Sequence, residues 1–167
     1  MFSRFLKMQD ELLGTMPHIP TKYFGSLEYR DEDVVQFPCG LPAFEEERQF
    51  LLIEPADRAP LQFLQSVRQP GLCFLALPIL VVDQAYRLTM TLEDLVSLDL
   101  DTTRQPLIGS DIECLAMLVA LENKAPSVNL LAPIVINRRN RRGIQAIRVD
   151  SAYSHAHSLA GPEAVCS

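Results

Sequence analysis

The chain has 167 residues, with 15 Lys+Arg against 21 Asp+Glu for a formal charge of -6 at pH 7, and is 48% hydrophobic and 22% charged. That is one domain's worth of chain with ample apolar material for a core, which excludes global intrinsic disorder. Its longest apolar run, Leu72–Val82, is about half of the ~20 residues a transmembrane helix needs, so it reads as a buried strand.

At the N-terminus, Phe2, Phe5, Leu6, Leu12 and Leu13 predict a short amphipathic helix within Met1–Ile19, ended by Pro17 and Pro20. Gln9, Asp10 and Glu11 interrupt this segment before an apolar signal region of ~7–15 residues could form, so the expectation is a cytoplasmic protein. Residues 1–20 are read as an N-terminal extension, 21–150 as the domain proper and 151–167 as a loosely held tail.

From Lys22 the pattern turns to strands at Lys22–Tyr29, Val34–Phe37, Phe50–Glu54, Leu61–Val67 and Cys73–Val82. Each is bounded by turn residues: Pro38, Gly40 and Pro42 in one gap, Pro55 and Pro60 in the next, then Gln69-Pro70-Gly71. Pro78 inside the apolar run predicts an edge or a bulge. Thr91 with Asp94 three residues on, ahead of Leu95 and Leu98, matches a capping box and predicts the one helix of the body. Glu113–Leu121, Ala132–Asn137 and Gly143–Val149 complete the strands. The last two form a hairpin through Arg138–Arg142, with Asn140 and Gly143 available for φ > 0. The predicted fold is all-β: a small closed or partly open β-barrel with one short helix and an N-terminal helical appendage.

Residues that could carry chemistry are sparse. Cys39, Cys73, Cys114 and Cys166 are scattered without a C-x-x-C pair and read as free thiols. His155 and His157 form an H-x-H pair with only Asp150 nearby, and His18 sits between prolines, so no metal site is assigned. The seven glycines are isolated, which excludes a phosphate-cradling loop, and no G-x-S-x-G elbow supplies a serine nucleophile. Glu45-Glu46-Glu47 follows a Pro/Gly loop and reads as solvated, whereas a catalytic carboxylate needs burial to raise its pKa. The expectation is a protein that is not an enzyme, with no catalytic residue and no cofactor.

Charge is unevenly distributed. Glu28, Asp31, Glu32, Asp33, Glu45, Glu46, Glu47, Glu54 and Asp57 face only Arg30 and Arg48 over the same stretch. Asp83, Glu93, Asp94, Asp99, Asp101, Asp111 and Glu113 follow, and the basic residues collect late as Arg138, Arg139, Arg141, Arg142 and Arg148. Such acidity argues against nucleic acid and anionic membrane; it either steers a basic partner or keeps the domain soluble. The Arg138–Arg142 turn alone favours a competing reading, an RNA-contacting β-barrel module. Arginines at a hairpin tip also pair with acids of their own domain.

Four segments, in order and spacing, resemble the FliW family of bacterial flagellar assembly factors. They are Thr21-Lys22-Tyr23-Phe24-Gly25, Phe37-Pro38-Cys39-Gly40-Leu41-Pro42-Ala43-Phe44, Leu64-Gln65-Ser66-Val67 and Asn129-Leu130-Leu131-Ala132-Pro133-Ile134-Val135-Ile136-Asn137. Asn140-Arg141-Arg142-Gly143-Ile144-Gln145-Ala146, then Asp150-Ser151-Ala152-Tyr153-Ser154 with His157, are likewise similar to that family's C-terminal signature. The chain departs from the pattern at Cys39, where an acidic or polar residue is usual, and at Ala43, where glycine is usual. Alanine tolerates φ > 0 poorly.

The resemblance implies a non-catalytic β-barrel acting through protein contacts. Its partners would be the RNA-binding translational regulator CsrA and flagellin. Binding the regulator relieves its repression of flagellin mRNA, and accumulating flagellin competes, which makes a partner switch. The protein would be a monomer when free and bind neither nucleic acid nor membrane directly. Candidate contact residues are Phe37, Leu41, Phe44, Glu45, Glu46 and Glu47, with Asn129, Ala132, Pro133 and Asn137. Each has a structural alternative: the aromatic and aliphatic residues as core plugs, the asparagines as holders of turns.

Overall fold

The computed structural model describes residues 16–148 and 152–159. The strands are β1 (His18–Thr21), β2 (Gly25–Glu28), β3 (Val34–Gln36), β4 (Gln49–Ile53), β5 (Gln62–Ser66), β6 (Cys73–Pro78), β7 (Ile112–Val119), β8 (Ser127–Asn137), β9 (Gly143–Gln145) and β10 (His157–Ser158). Two short helices, α1 (Ile79–Val82) and α2 (Leu92–Ser97), lie between β6 and β7.

Strands β3 to β9 pair in sequence order, each antiparallel to the next. The two ends of this sheet meet where the Gln36 N–H donates to the Arg141 carbonyl at 2.9 Å, beside a parallel bridge between Gln36 and Arg142. The result is the expected all-β barrel, nearly closed, with seven strands.

Alternation along the strands sorts side chains into an interior and two outer layers. In β4, Phe50 and Leu52 join the interior cluster with Val35, Phe37, Leu41, Leu64, Ala76, Leu115, Ile134 and Ile136. Leu51 and Ile53 face outward and pack under the β1–β2 hairpin with Ile19, Val34 and Leu27. On another face, Cys114, Ala116, Val128, Leu130 and Val135 support the β6–β7 crossover through Ile79, Tyr86, Leu95 and Leu98. Each fully buried Leu, Ile or Phe contributes about 1.5–3 kcal/mol, and packing on both faces of the strands adds the outer layers' burial to that of the interior.

Several expectations change. The continuous strand at Lys22–Tyr29 is the second half of a hairpin: Thr21 pairs with Gly25, and Gly25 takes φ +66°. Ile19, placed at the end of the N-terminal helix, lies in β1, while Met1–Thr15 falls outside the described residues. The strand at Cys73–Val82 stops at Pro78, which pairs with Leu115 and then opens α1, so its missing N–H is spared at the strand's end. Among the described residues the body thus holds two short α-helices, not one, besides single 3-10 turns at Asp31–Asp33 and Ala56–Arg58.

The capping box at α2 forms as read, the Asp94 N–H donating to Thr91 Oγ1 at 3.1 Å and the Thr91 N–H to Asp94 Oδ2 at 3.3 Å. At the β8–β9 turn the positive φ falls on Arg141 (58°), not on Asn140 or Gly143. Gly143 serves space instead: a Cβ there would lie 2.7 Å from Phe37 Cζ.

The tail is not loose where it is described. The Leu130 N–H donates to the Ser154 carbonyl at 2.9 Å, β10 pairs with β8, and Tyr153 stacks on Tyr86 at 4.3 Å. Cys166 and Asp150 lie outside the described residues.

Candidate functional site

The loop joining β3 to β4 is built from its anchors outward. Phe37 is fully buried, edge-on to Phe50 at 5.4 Å, and its N–H donates to the Arg48 carbonyl at 2.8 Å. Leu41 is buried beside it. Both side chains are therefore interior plugs, and neither is available to a partner. Between them Gly40 takes φ +68°, where a Cβ would meet the Glu45 carbonyl oxygen at 2.5 Å. Leu41-Pro42-Ala43-Phe44 is a tight turn closed by the Phe44 N–H donating to the Leu41 carbonyl at 2.7 Å. Ala43 sits at φ +68° in its third position, the type II geometry that favours glycine. The departure noted at Ala43 thus places a methyl group in a left-handed conformation. Glu45 holds the turn by accepting from the Ala43 N–H at 3.0 Å.

The three glutamates separate. Glu45 and Glu46 are exposed. Glu47 is only 2% exposed, accepting from Ser66 Oγ at 2.7 Å and Gln69 Nε2 at 2.5 Å, with Arg68 at 3.7 Å. Burial pushes its carboxyl up, but the two hydrogen bonds and the arginine outweigh it and leave the pKa below the usual carboxylate value. The solvated reading fails for Glu47 because the chain turns it inward to tie this loop to the β5–β6 turn. Phe44 stays partly exposed, edge-on to Phe74 at 5.2 Å.

On β8, Asn129 Oδ1 accepts from the N–H groups of Leu131 and Ala132, both at 3.0 Å, where the register against β7 shifts. This bulge lets β8 leave β10 and take up β9, and Ala132 and Pro133 lie in it. Asn137 is 2% exposed; its Nδ2 donates to the Leu98 carbonyl at 2.9 Å and its Oδ1 accepts from the Arg139 N–H. It positions the hairpin on the end of α2 and presents no side-chain surface of its own.

Topology then assembles what no single segment shows. Pro38, Cys39, Gly40, Pro42 and Glu45 form one wall of a groove of about 410 Å³, with Glu93, Asp94 and Ser97 of α2 and Arg142–Gln145 opposite. Sequence reasoning found Glu45 as a candidate and missed Glu93, Asp94 and Gly143–Gln145. Asp94 was visible only as a cap.

Two arginines of the β8–β9 turn pair with acids or carbonyls of their own domain, while Arg138 and Arg139 stay exposed. Arg138 and Arg141 approach Glu113 at 3.8 and 3.9 Å, Arg138 donates to the Gly109 carbonyl, and Arg141 Nη2 donates to the Asp33 carbonyl at 3.3 Å. Below it, the Arg104 guanidinium holds the Asp111 carboxyl down at about 2. His155 and His157 are exposed, and among the described residues no three His, Cys, Asp or Glu converge on a metal position. No helix among them is long and apolar enough to cross a membrane.

The arrangement defines a class: a small, nearly closed β-barrel whose exposed groove is bordered by carboxylates and a short edge strand. The profile of the FliW protein family matches residues 18–159. The chain is 31% identical over 144 residues to the flagellar assembly factor FliW of Bacillus subtilis (strain 168), covering 86% of this chain and 96% of that one. It is 38% identical over 138 residues to that of Pseudothermotoga lettingae, covering 80% and 82%. A crystal structure of the flagellar assembly factor FliW superposes with a TM-score of 0.76 at 33% identity, over 89% of this chain and all of that one. The chain belongs to the FliW family of flagellar assembly factors.

Proposed function

We propose that this protein is a cytoplasmic, non-catalytic flagellar assembly factor that binds a CsrA-type regulator and thereby relieves repression of flagellin mRNA. Flagellin competes for the same protein, and the free form is monomeric. The observation that carries this reading is the pairing of family membership with an acidic groove, since an RNA-binding regulator carries a basic surface complementary to it. Of the candidate contacts, Phe44, Glu45, Glu46, Asn129 and Ala132 keep accessible surface and carry the proposal, whereas Pro133 is buried in β8, where its carbonyl accepts from the Ala146 N–H of β9.

The test is calorimetric titration of this protein into its host's CsrA-type regulator, repeated after saturation with flagellin. Binding that flagellin abolishes is expected. Simultaneous binding of both partners would refute the switch, and absence of binding to either would overturn the function.

A further inference from the structure

The barrel is least complete at its seam. On one side β9 is satisfied by β8: the Asn137 N–H donates to the Arg142 carbonyl, Ala146 to Pro133 and Arg148 to Leu131, at 2.8, 2.9 and 2.8 Å. In an antiparallel ladder the alternate residues direct their N–H and C=O groups to the other side. Those are Gly143, Gln145 and Ile147. The strand that should receive them is β3, and it leaves after a single bridge at Gln36. The Phe37 N–H turns to Arg48, and the chain continues as Pro38-Cys39-Gly40, whose proline offers no donor. The bridge at Gln36 takes the Arg141 carbonyl and the Gly143 N–H; among the described residues no backbone group pairs with Gln145 or Ile147 on this side.

The gap left by the two diverging chains is the groove. Its volume lies within the ~300–1,000 Å³ typical of ligand sites. Its charge is uncompensated: among the described residues Glu45, Glu93 and Asp94 make no ion pair, whereas Asp33, Glu47, Asp111 and Glu113 each have an arginine. Arg142 is the one cation on its walls.

We propose that the seam groove accepts an extended basic segment of a partner protein, added as a strand against Gln145–Ile147. Its backbone completes the open edge, and alternate side chains project toward Glu45, Glu93 and Asp94. A free edge supplies affinity without sequence preference, and the carboxylates select basic residues. The inference deepens the proposed function by giving the basic partner its docking place, and rests on that function for the partner's identity.

Two probes test it: the host's CsrA-type regulator, and an acetylated Lys-Val alternating octapeptide with its Glu-Val counterpart as control. Amide hydrogen exchange at Gln145 and Ile147 should slow at least tenfold in the complex. Gln145→Pro, which deletes an outward N–H at an edge position where proline is tolerated, should weaken binding about tenfold. Gln145→Ala, which keeps that N–H, should stay within about twofold. Glu93→Lys should weaken binding and flatten its salt dependence.

A bound regulator that leaves these amides exchanging as before, or that binds Gln145→Pro like the wild type, overturns the proposal. Should the regulator not bind at all, the function fails separately and the Lys-Val peptide decides: slowed exchange at the two amides upholds the groove, and unchanged exchange overturns it. Should Gln145→Pro unfold, the exchange pattern of the wild-type complex decides in the same way.

Discussion

Gly143→Ala tests whether the seam is set by the contact of β9 with Phe37. The added Cβ would lie 2.7 and 2.8 Å from Phe37 Cζ and Cε1 and 3.0 Å from Val35 Cγ1, well inside van der Waals contact. Neither neighbour can yield cheaply. Phe37 and Val35 are fully buried, and Phe37 is held edge-on by Phe50. Overpacking of this kind costs about 1–3 kcal/mol, and the lack of slack argues for about 2 or more. With a urea slope of about 2 kcal/mol/M, the unfolding midpoint falls by about 1 M. Gly71→Ala is the control, because nothing lies within 4 Å of its Cβ, and its midpoint should stay within about 0.25 M of wild type. A loss under about 0.5 kcal/mol for Gly143→Ala would refute the reasoning, since β9 would then have room to lift from Phe37.

Ala43→Gly should stabilise by about 1 kcal/mol, because the left-handed penalty of about 1–2 kcal/mol exceeds the entropy cost of glycine; thermal unfolding would show a rise of about 2–4 °C. Since the folded pKa of Glu47 lies below its ordinary value of 4.5, its contribution is complete above that pH and drains away as pH falls through the folded value. Urea midpoints at pH 7 and pH 3 should therefore differ less in Glu47→Gln than in wild type. Asn137→Ala should cost about 1–3 kcal/mol by orphaning the Arg139 N–H and leaving the Leu98 carbonyl only the longer bond from Asn140 Nδ2 at 3.3 Å, read by chemical denaturation. Thiol labelling followed by peptide mapping should mark exposed Cys39 in the folded protein. Cys114, whose thiol burial pushes to about 12, should label only on unfolding.

The barrel was legible because its signals are local. Alternation at Phe50–Ile53, the Gln69-Pro70-Gly71 turn and the Thr91/Asp94 box each state their structure within a few residues. What stayed hidden depended on partners far along the chain. The charge of Glu47 looks like that of Glu45 in sequence, and only Ser66 and Gln69, about twenty residues on, make it an interior tie. Gly143 reads as a turn glycine until Phe37 is placed against it. The tail composition spoke for looseness, yet Tyr153 finds Tyr86 and the Arg87 N–H across the fold. The same holds for the contact residues: Phe37, Leu41, Glu47, Pro133 and Asn137 shape the surface from within, and the acids of α2 reach it by topology alone.

Which charges a barrel shows to a partner is decided by which it has already used. Arg138 and Arg141 share the one carboxylate of Glu113 within 4 Å, so part of the field of the basic turn is spent inside its own domain, while among the described residues Arg139 and Arg142 make no ion pair. Across the seam, Glu45, Glu93 and Asp94 have no such counter-charge, and their potential extends outward about a Debye length, ~8 Å at physiological salt. Net charge alone cannot make this distinction, because both groups enter the sum with equal weight. It predicts different salt responses for the groove and for the turn. Association with a basic partner at the groove should slow steeply as salt rises, while any affinity of Arg138–Arg142 for polyanions should be weak even at low salt. Tight RNA binding at low ionic strength, lost in an Arg138→Ala/Arg141→Ala variant that still binds the regulator, would reverse the assignment of the two faces.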